Sequence, residues 1–174
     1  GKTNILESIF YFAAGKSFRN CKDRELIMFG KEKGNISMRF SSSQGVSKMS
    51  ATLSKSGRRS IRIGESMPLR LSEYIGRFRA VIFTPDHLSL VKGAPENRRR
   101  FLDLAICQSF PRYASTLSEY NRVLAQKNAL LKRGNVSNDL LEVYNDRLAS
   151  LAAIITVNRR KYISKLEEEA KRFL

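Results

Sequence analysis

Apolar residues fall at Ile5, Leu6, Ile9, Phe10, Phe12 and Ala13, a spacing that predicts a mostly buried helix from Lys2 to Ala14 with Gly15 as its stop. The next stretch, Lys16 to Lys33, carries Lys16, Arg19, Lys22 and Arg24 and then a short apolar patch at Leu26 to Phe29, and reads as a loop with a helical turn. From Ile36 to Ile63 the texture changes. Short runs at Ile36 to Phe40, Val46 to Leu53 and Ser60 to Ile63, separated by Ser, Gly and Lys clusters, predict antiparallel strands. The KSGRR stretch from Lys55 to Arg59 has the composition of a hairpin tip with a basic rim. After Pro68 a short helix around Leu71 to Tyr74 leads to Arg79, Ala80, Val81, Ile82 and Phe83, a compact apolar run that predicts a buried strand closed by Pro85.

Beyond Pro95 the pattern is helical to the last residue, so a composition boundary sits near Leu88 to Pro95. Phe110, Tyr113, Leu117, Tyr120, Leu124 and Leu131 follow a three-four alternation, as do Leu141, Tyr144, Leu148, Leu151, Ile155 and Tyr162. Two long antiparallel helices are the simplest arrangement. Gly134 and Asn135 suit the turn between them, and Asp139 with Glu142 three residues later suits an N-terminal cap.

The chain has 174 residues, of which 42% are hydrophobic, enough for one ordinary domain or a lobed pair with its own core and too apolar for a disordered tail. Lys and Arg total 32 against 16 Asp and Glu, a formal charge of +16. Such an excess attracts a polyanion, nucleic acid or anionic lipid; the bland alternative is a chain whose acidic half lies elsewhere. Cys21 and Cys107 stand far apart without a Cys/His grouping, which supports neither a disulfide framework nor a zinc site and suggests a cytoplasmic compartment. Ile9 to Ala14 is too short to span a bilayer, and no membrane partner is expected.

Gly1, Lys2 and Thr3 match the last three positions of the phosphate-binding loop pattern G-x-x-x-x-G-K-[ST], and an apolar helix follows directly, as that motif requires. In the complete motif the Lys reaches the outer phosphates and the hydroxyl binds Mg²⁺, at a helix N-terminus that favours anions. Lys2 and Thr3 would take those two roles. With no initiator Met and the earlier loop positions missing, the chain is expected to be a fragment that begins inside the loop. The competing reading is an ordinary helix start with a Thr cap.

Arg98, Arg99 and Arg100, in ENRRRFLD, open a predicted helix. They either grip phosphates or bridge lobes, or form a solvated face with local ion pairs to Glu96 and Asp103. Three consecutive residues cannot share one helix face, so one of them is expected to turn inward. Pro85, Asp86 and His87 follow the apolar run, where open α/β sheets place ligand groups. His87 lacks catalytic partners at motif spacing and reads as a surface or capping residue, while Asp86 suits a ligand of Mg²⁺-bound water or an N-cap. For nucleic acid, the loop from Lys16 to Arg24 and the hairpin from Lys48 to Arg62 supply charge. Lys16, Arg19, Lys55, Arg58 and Arg59 are the candidate contacts, with Phe18 as a stacking group. No motif for base readout is visible, so backbone recognition weakened by salt is the expected mode, against a generic solubilising surface.

The segments GKTNILESIFYFAAGKSFR, RAVIFTPDHLSLVKGAPENRRRFLDLAI and PRYASTLSEYNRVLAQKNALLK together resemble the bacterial RecF family, recombination mediators with an ATPase head like those of SMC and Rad50 proteins. The likeness covers essentially the whole chain. It implies an α/β, P-loop ABC-ATPase-like head: a partial first lobe with antiparallel strands at residues 1–92 and a partial second lobe of long antiparallel helices at residues 93–174. It also implies ATP and Mg²⁺ as cofactors, an ATP-dependent homodimer, RecO- and RecR-type partners, and binding to gapped or single-strand/double-strand junction DNA in replication, recombinational repair and the SOS response. Carried over by residue, Lys2 and Thr3 contact phosphate and Mg²⁺ with Gly1 and Asn4 flanking them. Arg19 resembles the arginine of a loop that approaches nucleotide or DNA. The family's glutamine after the strand has no counterpart between Phe83 and Asp86, and no signature motif or paired catalytic acids lie within the 174 residues. The intact protein is therefore expected to be a weak DNA-dependent ATPase and this stretch alone inactive. Two rivals stand beside this reading, a basic DNA-binding module that does not use ATP and a P-loop kinase fragment.

Overall fold

Helix α1 spans Lys2–Ala14 in the computed structural model, which describes residues 1–19, 21–43, 45–134 and 137–173. The C-terminal half of α1, from Phe10 to Ala14, is buried, whereas Ile5 and Leu6 are exposed. Gly15 ends the helix in the left-handed region, at φ 67° and ψ 15°, and its N–H donates to the Tyr11 carbonyl. Only glycine fits there. A Cβ would meet the Tyr74 hydroxyl at 2.5 Å and Leu71 Cδ1 at 2.7 Å, in addition to the left-handed backbone cost. The loop after α1 contains a 3₁₀ turn at Asp23–Leu26, the expected helical turn.

Three strands follow, β1 (Lys33–Ser42), β2 (Gly45–Ser54) and β3 (Arg59–Ile63), paired antiparallel in chain order. Met38 lies opposite Met49 and Ala51 opposite Ile61, so one parity of each strand forms an inner face. That face, with Met49, Ala51, Leu53 and Ile61 fully buried, packs on Tyr11, Phe12, Ile27 and Tyr74; the last ends helix α2 (Leu71–Tyr74). The other parity is polar. The expected strand over Arg79 to Phe83 is not formed: this run has no regular structure, and Val81 and Phe83 are exposed. A fully apolar strand is stabilised only by neighbours on both sides and both faces. The sheet among the described residues contains none that reaches this run.

Pro85–Leu88 forms a second 3₁₀ turn, and the chain divides into two units, Gly1–His87 and Leu88–Leu174. The second unit is helical: α3 (Ser89–Lys92), α4 (Pro95–Ser109), α5 (Pro111–Arg133) and α6 (Asn138–Lys171). Proline at the first position starts both α4 and α5, where its missing N–H costs nothing. Helices α5 and α6 run antiparallel, since Glu119 pairs with Arg147 while Lys127, later on α5, reaches Asn145, earlier on α6. Tyr113, Val123, Leu151 and Ile155 are buried in this unit. Gly134 follows α5 as expected, and Asn135 lies outside the described residues. The cap of α6 is not Asp139 but Ser137, whose Oγ accepts from the Leu140 N–H at 3.4 Å. An N-cap oxygen reaches the N–H groups of the first turn from just before the helix, and Asp139 already lies within it. Among the described residues no helix is long and apolar enough to cross a membrane.

Candidate nucleotide end and nucleic-acid surface

Gly1 is the N-cap of α1, and Lys2, Thr3 and Asn4 form its exposed first turn. The Thr-cap reading fails, because the helix begins before Thr3 and no side chain caps it. The first turn holds no acidic residue and does hold Lys2, placing a cation at the positive end of the helix dipole. That arrangement opposes the helix unless an anion sits there, and phosphate is the anion that unpaired N–H groups and a lysine suit best. For Mg²⁺ the side chain at hand is the Thr3 hydroxyl; among the described residues no group of three His, Cys, Asp or Glu side chains could hold a metal.

Arg19 is brought to this end of the helix. Its Nη2 donates to Asn4 Oδ1 at 3.4 Å, and Nη1 lies 3.6 Å from Glu7 Oε2. Glu7 is a buried carboxylate that sequence reasoning missed, although an acid within an otherwise apolar helix was a visible signal. It accepts the Ser17 hydroxyl, and Ser17 Oγ in turn accepts the Arg19 N–H at 2.9 Å, so the loop after α1 is tied back onto the helix. A cleft of about 570 Å³ lies beside this network, lined by Asn4, Glu7, Arg19, Cys21, Asn35 and Leu53. Phe18 is not a free stacking platform. It packs edge-on against Phe10 at 5.9 Å, and the Arg19 guanidinium lies 5.9 Å from its ring centre.

The other predicted basic residues separate by their place in the fold. Lys55 and Arg58 lie exposed in the β2–β3 turn, while Lys16 is half-buried in the loop after α1. Arg59 sits opposite Leu53 on the inner face, where its Nη1 donates to the Gly15 carbonyl at 2.5 Å and lies 3.7 Å from Asp23 Oδ2. The buried Tyr11 and Tyr74 hydroxyls surround it without a hydrogen bond of ordinary geometry. Burial works against the charge on Arg59, but Tyr74, Tyr11 and Asp23 outweigh it and hold its pKa above the usual value. Arg59, although still partly exposed, is therefore a latch between sheet and helix.

In the second unit none of the three arginines turns inward: all stay exposed, and Arg98 folds back along the surface to donate to the carbonyls of Leu90 at 3.2 Å and Gly93 at 3.0 Å. Asp103 does not pair within its own cluster. It takes a bidentate contact from Arg159 of α6, at 2.8 and 2.7 Å, and a bond from the Tyr113 hydroxyl at 2.5 Å, joining α4, α5 and α6. His87 is a capping residue: its Nδ1 accepts the Thr84 N–H at 2.9 Å. The side chain of Asp86 lies outside the described residues.

A helix entered by Gly-Lys-Thr, an antiparallel sheet and a helical unit make up a mixed α/β architecture resembling ABC-ATPase-like heads of the RecF type. By sequence and by structure the chain matches the RecF DNA replication and repair family. It is 42% identical over 96% of its length to the DNA replication and repair protein RecF of Macrococcus caseolyticus, and 38% identical over 98% to that of Clostridium acetobutylicum. It covers 46% and 47% of those proteins, so the chain spans about half the length of the curated relatives it matches. Among solved structures it superposes on the recombination mediator protein RecF with ATP at a TM-score of 0.91 and 31% identity, covering 97% of this chain and 46% of that one. No family model matches the sequence.

Proposed function

We propose that the chain is the ATP- and DNA-binding part of a RecF-like recombination mediator, with residues 1–92 and 93–174 as its two head lobes. The observation that carries this is the acid-free N-terminus of α1, where Lys2 and Thr3 stand exposed beside Arg19 in a chain that matches RecF. Lys2 would neutralise the outer phosphates, the N–H groups of Lys2 and Thr3 would hold their oxygens while that of Asn4 donates to the Gly1 carbonyl at 3.1 Å, and Thr3 Oγ1 would supply a ligand to Mg²⁺, which offsets charge on the phosphates when bound. Lys16, Arg19, Lys55 and Arg58 face DNA, and Arg59 supports the hairpin that presents the last two. ATP drives homodimerisation, RecO- and RecR-type proteins are the partners, and the cytoplasm is the compartment. ATP turnover is weak in the full-length protein and negligible in the 174-residue chain, which carries no paired catalytic acids; measurable Mg²⁺-dependent turnover by the chain would refute that part.

The test is DNA binding by the full-length protein, with and without ATP, comparing wild type with Lys2→Ala across salt concentrations. Binding that needs ATP and is lost in the variant supports an ATP-gated clamp. Binding that ignores both, and falls only with salt, means that the basic surface acts alone and that the nucleotide reading is wrong.

A further inference from the structure

We infer that the outward face of the β1–β2–β3 sheet is a platform for the phosphate backbone of duplex DNA, an assignment that rests on the DNA-binding reading above and adds a surface to the residues named there. Strand parity turns Lys33, Arg39, Lys48 and Arg62 to this face, opposite to the one that packs on α1. Arg39 stands directly across from Lys48, and Arg62, across from Ser50, is their diagonal neighbour. Like charges placed directly opposite in a sheet destabilise it. Here nothing within the sheet relieves them: no strand residue is Asp or Glu, and none of the four cations forms an ion pair among the described residues. A bound polyanion would turn that internal cost into affinity.

The rest of the face selects the kind of polyanion. Ser37, Ser50 and Ser60 share it, beside Thr52, whose hydroxyl donates to Asn35 Oδ1 at 2.8 Å, and serine hydroxyls bond to phosphate oxygens without reading sequence. No outward strand position carries an aromatic residue, since Phe40 lies on the inner face against Phe78 at 5.3 Å, so bases have nothing to stack on. Val46 is the exposed large apolar residue of the strands, too little to enter a lipid surface. A ten-residue strand extends about 33 Å, the axial length of about ten phosphates on one strand of a duplex.

The experiment measures affinity of the full-length protein, with ATP, for duplex and single-stranded DNA of equal length between about 50 and 200 mM salt, the range over which counterion release is pronounced. The variant is Arg39→Ser/Lys48→Ser/Arg62→Ser, and an equal-charge control is Arg122→Ser/Lys132→Ser/Lys161→Ser in the helical unit. Each lost phosphate contact flattens the plot of log affinity against log salt by about 0.9, so the face variant should lose about 2.7 in slope on duplex and the control almost none. Lys48→Ser alone should bind duplex more weakly yet melt no lower than wild type, which separates lost contact from lost folding. An unchanged duplex slope in the face variant overturns the platform while leaving DNA binding intact. An equal flattening in the control, an equal loss on single strands, or loss of an equally tight binding to phosphatidylserine vesicles also overturns it. Wild type that binds no DNA overturns both the platform and the reading beneath it.

Discussion

Arg58 and Arg59 are neighbours in the sequence, yet their substitution should have opposite consequences. Arg59→Gln removes a charge-assisted hydrogen bond to the Gly15 carbonyl, in a class that contributes about 1.5–3 kcal/mol. It also removes the contact with Asp23, which is discounted to about 0.5 kcal/mol because the Arg59 side chain is 39% exposed. A loss of about 2 kcal/mol is therefore expected, with α1 loosened from the sheet. Arg58 lies exposed in the turn, its carbonyl accepts the Ser54 N–H at 2.9 Å and its side chain forms no ion pair among the described residues, so Arg58→Gln, which leaves the backbone bond in place, should change stability by less than about 0.5 kcal/mol. DNA affinity should respond the other way, the salt slope falling by about 0.9 for Arg58→Gln and hardly at all for Arg59→Gln. Urea denaturation and salt-dependent DNA binding of the full-length variants supply the two readouts. If both arginines destabilise alike, or if Arg59→Gln flattens the salt slope as much as Arg58→Gln, the assignment of opposite roles to these neighbours is wrong.

Gly15→Ala should cost about 2–4 kcal/mol, from the left-handed backbone and from the collision of the new methyl with Tyr74 and Leu71, and Tyr74→Phe should recover part of it; an unchanged urea midpoint would show that the helix end relaxes freely. Stability should fall above about pH 10. Desolvation pushes the Tyr74 phenol up to about 12, against the pull of Arg59, and burial likewise raises Tyr11 and Tyr113, so these groups stay neutral in the fold where the unfolded chain ionises. The unfolded state then binds fewer protons, and the Tyr74 share, about 3 kcal/mol, is lost as pH rises from 10 through 12; a urea midpoint flat across that window would contradict it. For Asp103 and Arg159, which are 16% and 24% exposed, a double-mutant cycle to Ala should give a coupling of about 1–3 kcal/mol, and a value near zero would show that their bidentate contact does not hold the helices together.

Local pattern was sufficient for much of this protein. Apolar spacing and Gly15 delimit α1, Ser and Gly clusters separate the three strands, and the Gly-Lys-Thr start with the RecF-like segments points to the family without any coordinates. These features depend on residues within a few positions of one another, where backbone preference and side-chain period speak for themselves. The rest depended on partners. Arg79 to Phe83 has the composition of a buried strand and is none, because a strand exists only with a neighbour to complete its ladder. Asp103 looks like part of an arginine cluster, but its partner lies 56 residues away on α6. Which of two adjacent arginines turns inward, and which cations share the sheet's outer face, follow from register, set by pairing between distant segments; a shift of one residue would exchange inner and outer faces.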